Sequence, residues 1–112
     1  IEMKLLANTD IEQTCVVGMG IPHPIALVTL SDIGKQKTKE ELIESLTASL
    51  SAVNPTLENF EQLGKAVIMR ENWSIENGLL TPTLKVKRNQ VEKIHQSFYP
   101  EWFEQKGRVF WQ

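Results

Sequence analysis

The residues of this chain that could do chemistry converge on one lysine. Lys85 sits in the stretch Gly78-Leu-Leu-Thr-Pro-Thr-Leu-Lys-Val-Lys-Arg88, after a short apolar run and a proline-fixed segment. A compact ammonium with three donors can bridge two anions that a reaction brings together. Thr81, Pro82 and Thr83 are suited to setting the backbone around it, because proline fixes φ and threonine hydroxyls satisfy turn donors. Spacing alone favours a solvated surface lysine. Lys87 and Arg88 read first as solvated charges or contacts within their own lobe.

Other reaction classes lack their residues. The chain has one cysteine, Cys15, and two distant histidines, His23 and His95, with no paired carboxylates at ligand spacing. A metal site is therefore not expected, and neither is a disulfide. Cys15 lies in Thr-Cys-Val-Val and reads as a buried, inert thiol. His23, between prolines, reads as a surface residue, and His95, on a helical apolar side, as a satisfied packing residue. No Ser-His-Asp set is visible, and Gly18 and Gly20 do not form a dinucleotide fingerprint.

At 112 residues, with a net charge of −2 and a pI near 5.7, the chain fits one soluble domain, residues 1–112, and not a nucleic-acid binder. No apolar run approaches the roughly 20 residues of a membrane span. The start at Ile1 instead of Met reads as a piece cut from a longer protein.

The elements that must position Lys85 follow from periodicity. Residues 1–8 suit the last turns of a helix. Ile11–Val17 and Ile25–Leu30 read as strands, the second apolar enough to be buried on both faces. Thr38-Lys-Glu-Glu41 has capping-box spacing and opens a helix whose Leu42, Ile43, Leu46, Leu50 and Val53 form one face. Asn54-Pro55 stops it. A short helix is expected from Leu57 to Leu63, a third strand from Lys65 to Arg70, a turn-rich link from Trp73 to Asn77, and a helix from Asn89 to Phe98. The result is an α+β (small α/β) domain with a mixed three-stranded sheet packed with helices. Six of the eight aromatic residues fall in the last fifteen positions, so the tail either folds back over the core or meets a partner.

The Gly78–Arg88 motif resembles the C-terminal lysine motif of adenylate-forming (AMP-binding) enzymes. Thr-Pro-Thr-Leu-Lys, with no glycine before the lysine, is most similar to long-chain acyl-CoA synthetases, the fatty acid–CoA ligases. Ile1-Glu2, Ile11–Gly18, Pro24–Leu30 and Asn59–Ile68 resemble, in order, the family's lobe start, its first two strands, and the helix and strand before the motif. The resemblance implies the C-terminal lobe of the adenylate-forming fold, a fragment without the large N-terminal domain. It implies that Lys85 catalyses acyl-adenylate formation and that the lobe rotates for thioester formation. ATP, Mg2+ and CoA would serve the parent enzyme, with none bound to the fragment, which would be inactive alone. The implied partners are the N-terminal adenylation domain of the same chain, fatty acid, ATP and CoA. The implied location is cytoplasmic, with peripheral membrane association as the variant. Two other readings stay open: a relative loading a carrier protein or serving a reductase, and a non-catalytic α/β interaction module.

Overall fold

The structure is a computed structural model that describes residues 5–18, 23–57, 62–83, 85–105 and 107–112. Its centre is a sheet of β1 (Ile11–Val17), β2 (Ile25–Leu30), β3 (Lys65–Ile68) and β4 (Val109–Trp111), in that spatial order. β1 and β2 run antiparallel, while β2–β3 and β3–β4 are parallel. The sheet is mixed, as the sequence predicts, but it has four strands, not three. β4 is only three residues long. A run that short carries no readable alternation, and it exists because Ala66, Val67 and Ile68 pair with Val109, Phe110 and Trp111 far along the chain.

Both faces of the sheet are covered. Ala26, Val28, Ala66, Ile68 and Val109 point to one side, where Leu42, Leu46, Leu50 and Val53 of α2 (Lys39–Val53) pack on them. Ile25, Leu27 and Val67 point to the other, against Val91 of α3 (Arg88–His95) and Tyr99 and Trp102 of α4 (Tyr99–Glu104). The near-continuous apolar character of β2 follows directly, because a strand covered on both faces has no wet side. The tail thus folds back over the core. Of the side expected on the Asn89–Phe98 helix, Val91 and His95 are buried, whereas Ile94 and Phe98 are 53% and 44% exposed.

The predicted capping box is present. Thr38 accepts from the Glu41 amide at 3.2 Å, and Glu41 accepts from the Thr38 amide at 3.1 Å. α2 ends at Val53 and tightens into a 3-10 turn over Asn54–Thr56. Leu57, expected to start a helix, is extended at φ −112° and ψ 155°. Residues 58–61 of that helix and 1–4 of the N-terminal one lie outside the described residues, while Gln62 and Leu63 are described and carry no helix.

A short helix, α1 (Asp32–Lys35), was not legible in the sequence; Ser31 caps it by accepting from the Gly34 amide at 3.1 Å. Beside it, Asp10 is 2% exposed and paired with the Lys37 ammonium at 2.8 Å. The Ser45 hydroxyl donates to Asp10 at 2.7 Å, and Asn8 donates to Ser45 and Ser49 at 2.9 and 2.8 Å. These bonds tie the segment entering β1 to α2. Burial by itself would raise the Asp10 carboxyl, but the Lys37 and Ser45 hydrogen bonds and the Lys37 charge outweigh it and hold the group below its ordinary range.

Candidate functional site

The segment from Arg70 to Lys87 links β3 to α3 without a helix or strand of its own, and Lys85 lies near its end. Long irregular connections inside a compact domain tend to be functional, and this one is held down residue by residue. Trp73, Leu79 and Leu80 are buried in the cluster under the second face of the sheet. Asn77 Oδ1 accepts from the amides of Ser74 and Leu79 at 3.0 and 3.2 Å. Asn77 Nδ2 donates to the Asn72 carbonyl at 3.2 Å. Gly78 takes φ +80°, a conformation that glycine adopts without steric cost, and the chain turns there.

Beyond that turn the chain folds into a small hairpin. Leu80 and Val86 form an antiparallel bridge, and the Lys87 amide donates to the Leu79 carbonyl at 2.8 Å. The Thr81 amide donates to the Lys85 carbonyl at 2.8 Å, while the Lys85 amide donates to Thr81 Oγ1 at 3.0 Å. Thr81 and Thr83 hydroxyls meet at 3.0 Å. Thr81 therefore satisfies a turn donor as expected, Thr83 meets only the Thr81 hydroxyl, and both main-chain polar groups of Lys85 are engaged. Its side chain is exposed, and among the described residues no group pairs with the ammonium.

The root of the segment is held by a residue that sequence reasoning passed over. Gln13 of β1 donates through Nε2 to the Trp73 carbonyl at 2.8 Å and accepts through Oε1 from the Trp73 amide at 2.8 Å. The Thr29 hydroxyl supports the same oxygen at 2.9 Å. A glutamine within a strand reads as a wet-face residue, and no local pattern signals a partner sixty positions away.

The other titratable groups serve packing. His23 is exposed, with its ring 6.4 Å from that of Phe103. His95 is buried with its ring 5.7 Å from Trp102, and burial pushes its pKa down, favouring the neutral form. Its packing role matches expectation, but Nδ1 has no partner among the described residues, so the ring is not fully satisfied. Tyr99 is pushed upward by burial, with the charges of Glu92 and Cys15 adding to the effect. Cys15 is buried, as its apolar setting implies. Lys87 and Arg88 are both exposed, Lys87 as the residue that caps α3. Among the described residues no three His, Cys, Asp or Glu side chains gather as a metal cluster, and no helix is long and apolar enough to cross a membrane.

Residues 1–104, which include the whole hairpin, match the model for the AMP-binding enzyme C-terminal domain. This chain belongs to that family. As an AMP-binding enzyme C-terminal domain, it is 34% identical over 111 residues to long-chain-fatty-acid–CoA ligase 5 of Rattus norvegicus, which covers 91% of the chain and 16% of the ligase. A long-chain-fatty-acid–CoA ligase of Mycobacterium tuberculosis is 29% identical over 108 residues, covering 81% of the chain and 18% of that protein. The domain thus spans about a sixth of the length of these relatives. Its fold matches the A-PCP didomain of carboxylic acid reductase from Segniliparus rugosus, solved with AMP, at a TM-score of 0.71 and 21% identity over 89% of this chain and 15% of that one. The adenylation domain of a carboxylate reductase from Mycobacterium chelonae matches at 0.69 and 15% identity, covering 93% and 17%. The lobe architecture expected from the sequence is therefore the architecture found.

Proposed function

We propose that this domain is the C-terminal catalytic lobe of an ATP-dependent long-chain fatty acid–CoA ligase, with Lys85 as its catalytic residue. The observation that carries the reading is the form of the hairpin: the Lys85 backbone is bonded on both sides, and its exposed ammonium has no partner among the described residues. A charge mounted in this way is available to a reaction centre on another body, here the N-terminal adenylation domain of the same parent chain. The 34% identity to a fatty acid–CoA ligase supports CoA over a carrier protein or reductase as the acyl acceptor.

In adenylation the fatty-acid carboxylate attacks the α-phosphorus of ATP, forming the acyl–phosphate bond and expelling pyrophosphate. Two anions approach, and negative charge accumulates on the oxygens between them. The Lys85 ammonium would lie against those oxygens and stabilise that charge. Mg2+ would accompany the ATP phosphates. The lobe then rotates, Lys85 leaves, and CoA attacks the acyl-adenylate to give the thioester and AMP.

The test separates the half-reactions in the full-length enzyme. An ammonium about 4 Å from the developing charge contributes roughly 4 kcal/mol at an effective dielectric near 20. That is about a thousandfold in rate. Lys85→Ala should therefore slow pyrophosphate release by a factor on the order of a hundred to a thousand, while CoA attack on supplied acyl-adenylate proceeds nearly unchanged. Equal losses in both steps, or no loss in the first, would remove Lys85 from the role.

A further inference from the structure

We infer that Gln13 is a positioning residue for Lys85, acting from the edge strand of the sheet through the backbone of Trp73; the inference rests on the catalytic reading of Lys85. The bonds form one connected path. Gln13 grips both main-chain groups of Trp73 at 2.8 Å. The Ser74 carbonyl next to it accepts from the amides of Leu79 and Leu80 at 3.2 and 3.1 Å. Leu79 accepts from the Lys87 amide at 2.8 Å, and Thr81, one residue past Leu80, closes on Lys85. The hairpin bearing Lys85 is thus referenced to β1 and not only to its own turn.

The chemistry singles out a primary amide for this role. Trp73 is 4% exposed, so its amide and carbonyl need protein partners. A glutamine offers one acceptor and one donor in a plane, like a neighbouring strand, and no carboxylate, hydroxyl or ammonium offers both in that geometry. The Trp73 amide can only donate and its carbonyl can only accept, which sets Oε1 toward the one and Nε2 toward the other; the Thr29 hydroxyl donates to the same Oε1 at 2.9 Å. Gln13 itself follows a register irregularity between Ile11 and Gln13 in the β1–β2 pairing. The irregularity turns Ile11 to the first-face cluster, while Gln13 stays in regular alternation with Cys15 and Val17 on the second face, where Trp73 lies.

Freed of this grip, the segment keeps its turn and hairpin but loses the frame that sets where Lys85 arrives on the other domain. A misplacement of about 1 Å far from the chemistry can cost on the order of a hundredfold in rate. Gln13→Met keeps the length of the side chain and removes both bonds. In the full-length enzyme it should lower the rate of acyl-adenylate formation at saturating substrate by about tenfold to a hundredfold. CoA attack on supplied acyl-adenylate should stay within about twofold of wild type. Thr29→Val, which removes only the supporting hydroxyl, should shift the same step in the same direction by a smaller factor. Ser45→Ala, which loosens the opposite face, should leave the ratio of the two half-reactions at its wild-type value. A purely structural role for Gln13 would scale both half-reactions together through the fraction of folded enzyme, and that result overturns the inference. Retention of the adenylation rate in both Gln13→Met and Thr29→Val overturns it as well. If Lys85→Ala fails to separate the half-reactions, the catalytic reading itself falls. If Lys85→Ala separates them and the Gln13 variant does not, only the positioning role falls.

Discussion

Residues 105–112 lie past the end of the family match, so a domain boundary drawn from that match would cut the chain after Glu104. The structure predicts that such a truncation disables the fold. Lys65 opens β3, is 9% exposed, and donates through Nζ to the carbonyls of Gln105 and Gly107, the latter at 2.9 Å. Hydrogen bonds to a charged group are worth roughly 1.5 to 3 kcal/mol each. Val109 is 5% exposed in the first-face core. Burying such a valine is worth about 1.5 kcal/mol or more. The ladder adds Ala66 donating to the Arg108 carbonyl at 2.8 Å and Gln112 donating to the Ile68 carbonyl at 2.9 Å. These bonds contribute about 1 kcal/mol each.

Water reaching the new edge of β3 would rehydrate Lys65 and recover part of this, leaving a net loss of roughly 4 to 6 kcal/mol. A domain of this size has only about 5 to 15 kcal/mol in total. At about 4 to 8 °C per kcal/mol, the truncated chain should melt at least about 15 °C lower, or not fold at all. The assay is thermal unfolding of the chain ending at Glu104 beside the full 112 residues, followed by circular dichroism. Adding Lys65→Met to the truncated chain should recover several degrees, because the stranded ammonium is gone. A truncated chain melting within about 5 °C of the parent would refute the reasoning.

Two further outcomes follow from the buried polar groups. Because Asp10 is held below the ordinary carboxylate range, its contribution to stability is fully present above the unfolded value and is lost as pH falls through the folded one; Asp10→Asn should therefore lower the melting temperature at pH 7 and flatten its decline on the acid side of the ordinary carboxylate range, and an unchanged slope would deny the ion pair that role. The Tyr99 hydroxyl is buried with no partner among the described residues, so Tyr99→Phe should leave stability equal or higher by about 1 kcal/mol, and a loss of that size in urea unfolding would show the hydroxyl to be bonded.

The parts of this fold that could be read in advance are those whose cause is local. α2 announces itself through the Thr38–Glu41 box and a stripe at three- and four-residue spacing, and β2 through unbroken apolar character. What escaped depends on distant neighbours. β4 is a strand because β3 offers an edge to Val109–Trp111, and nothing within those three residues requires it. α1 is a single turn whose Gly34 exists for its neighbour: a Cβ there would stand 2.4 Å from the Asp10 carbonyl oxygen. Leu57 illustrates the opposite error. Thr56 and Gly64 look like helix punctuation, yet Asn54 bonds both main-chain groups of Leu63, at 2.8 and 3.1 Å, and that side-chain staple organises the end of the connection.

The site divides in the same way. Lys85, Thr81 and Thr83 could be singled out as candidates because motif and chemistry lie within five residues. Gln13 could not, although it holds the same segment. The fates of the other lysines show why the distinction matters for function. Lys37 is spent on Asp10 and Lys65 on two carbonyls, and either would have to break those bonds before it could serve a substrate. Lys85 differs from these two, because its bonds among the described residues are made by its backbone and its side chain has no such pairing to break. Fixing the main chain limits where the ammonium can arrive, and leaving the side chain in solvent means that arrival requires a second body. An exposed lysine on a loose loop would meet only the second of these conditions. The hairpin of this domain meets both, and it does so with side chains drawn from β1, β2 and the turn at Asn77.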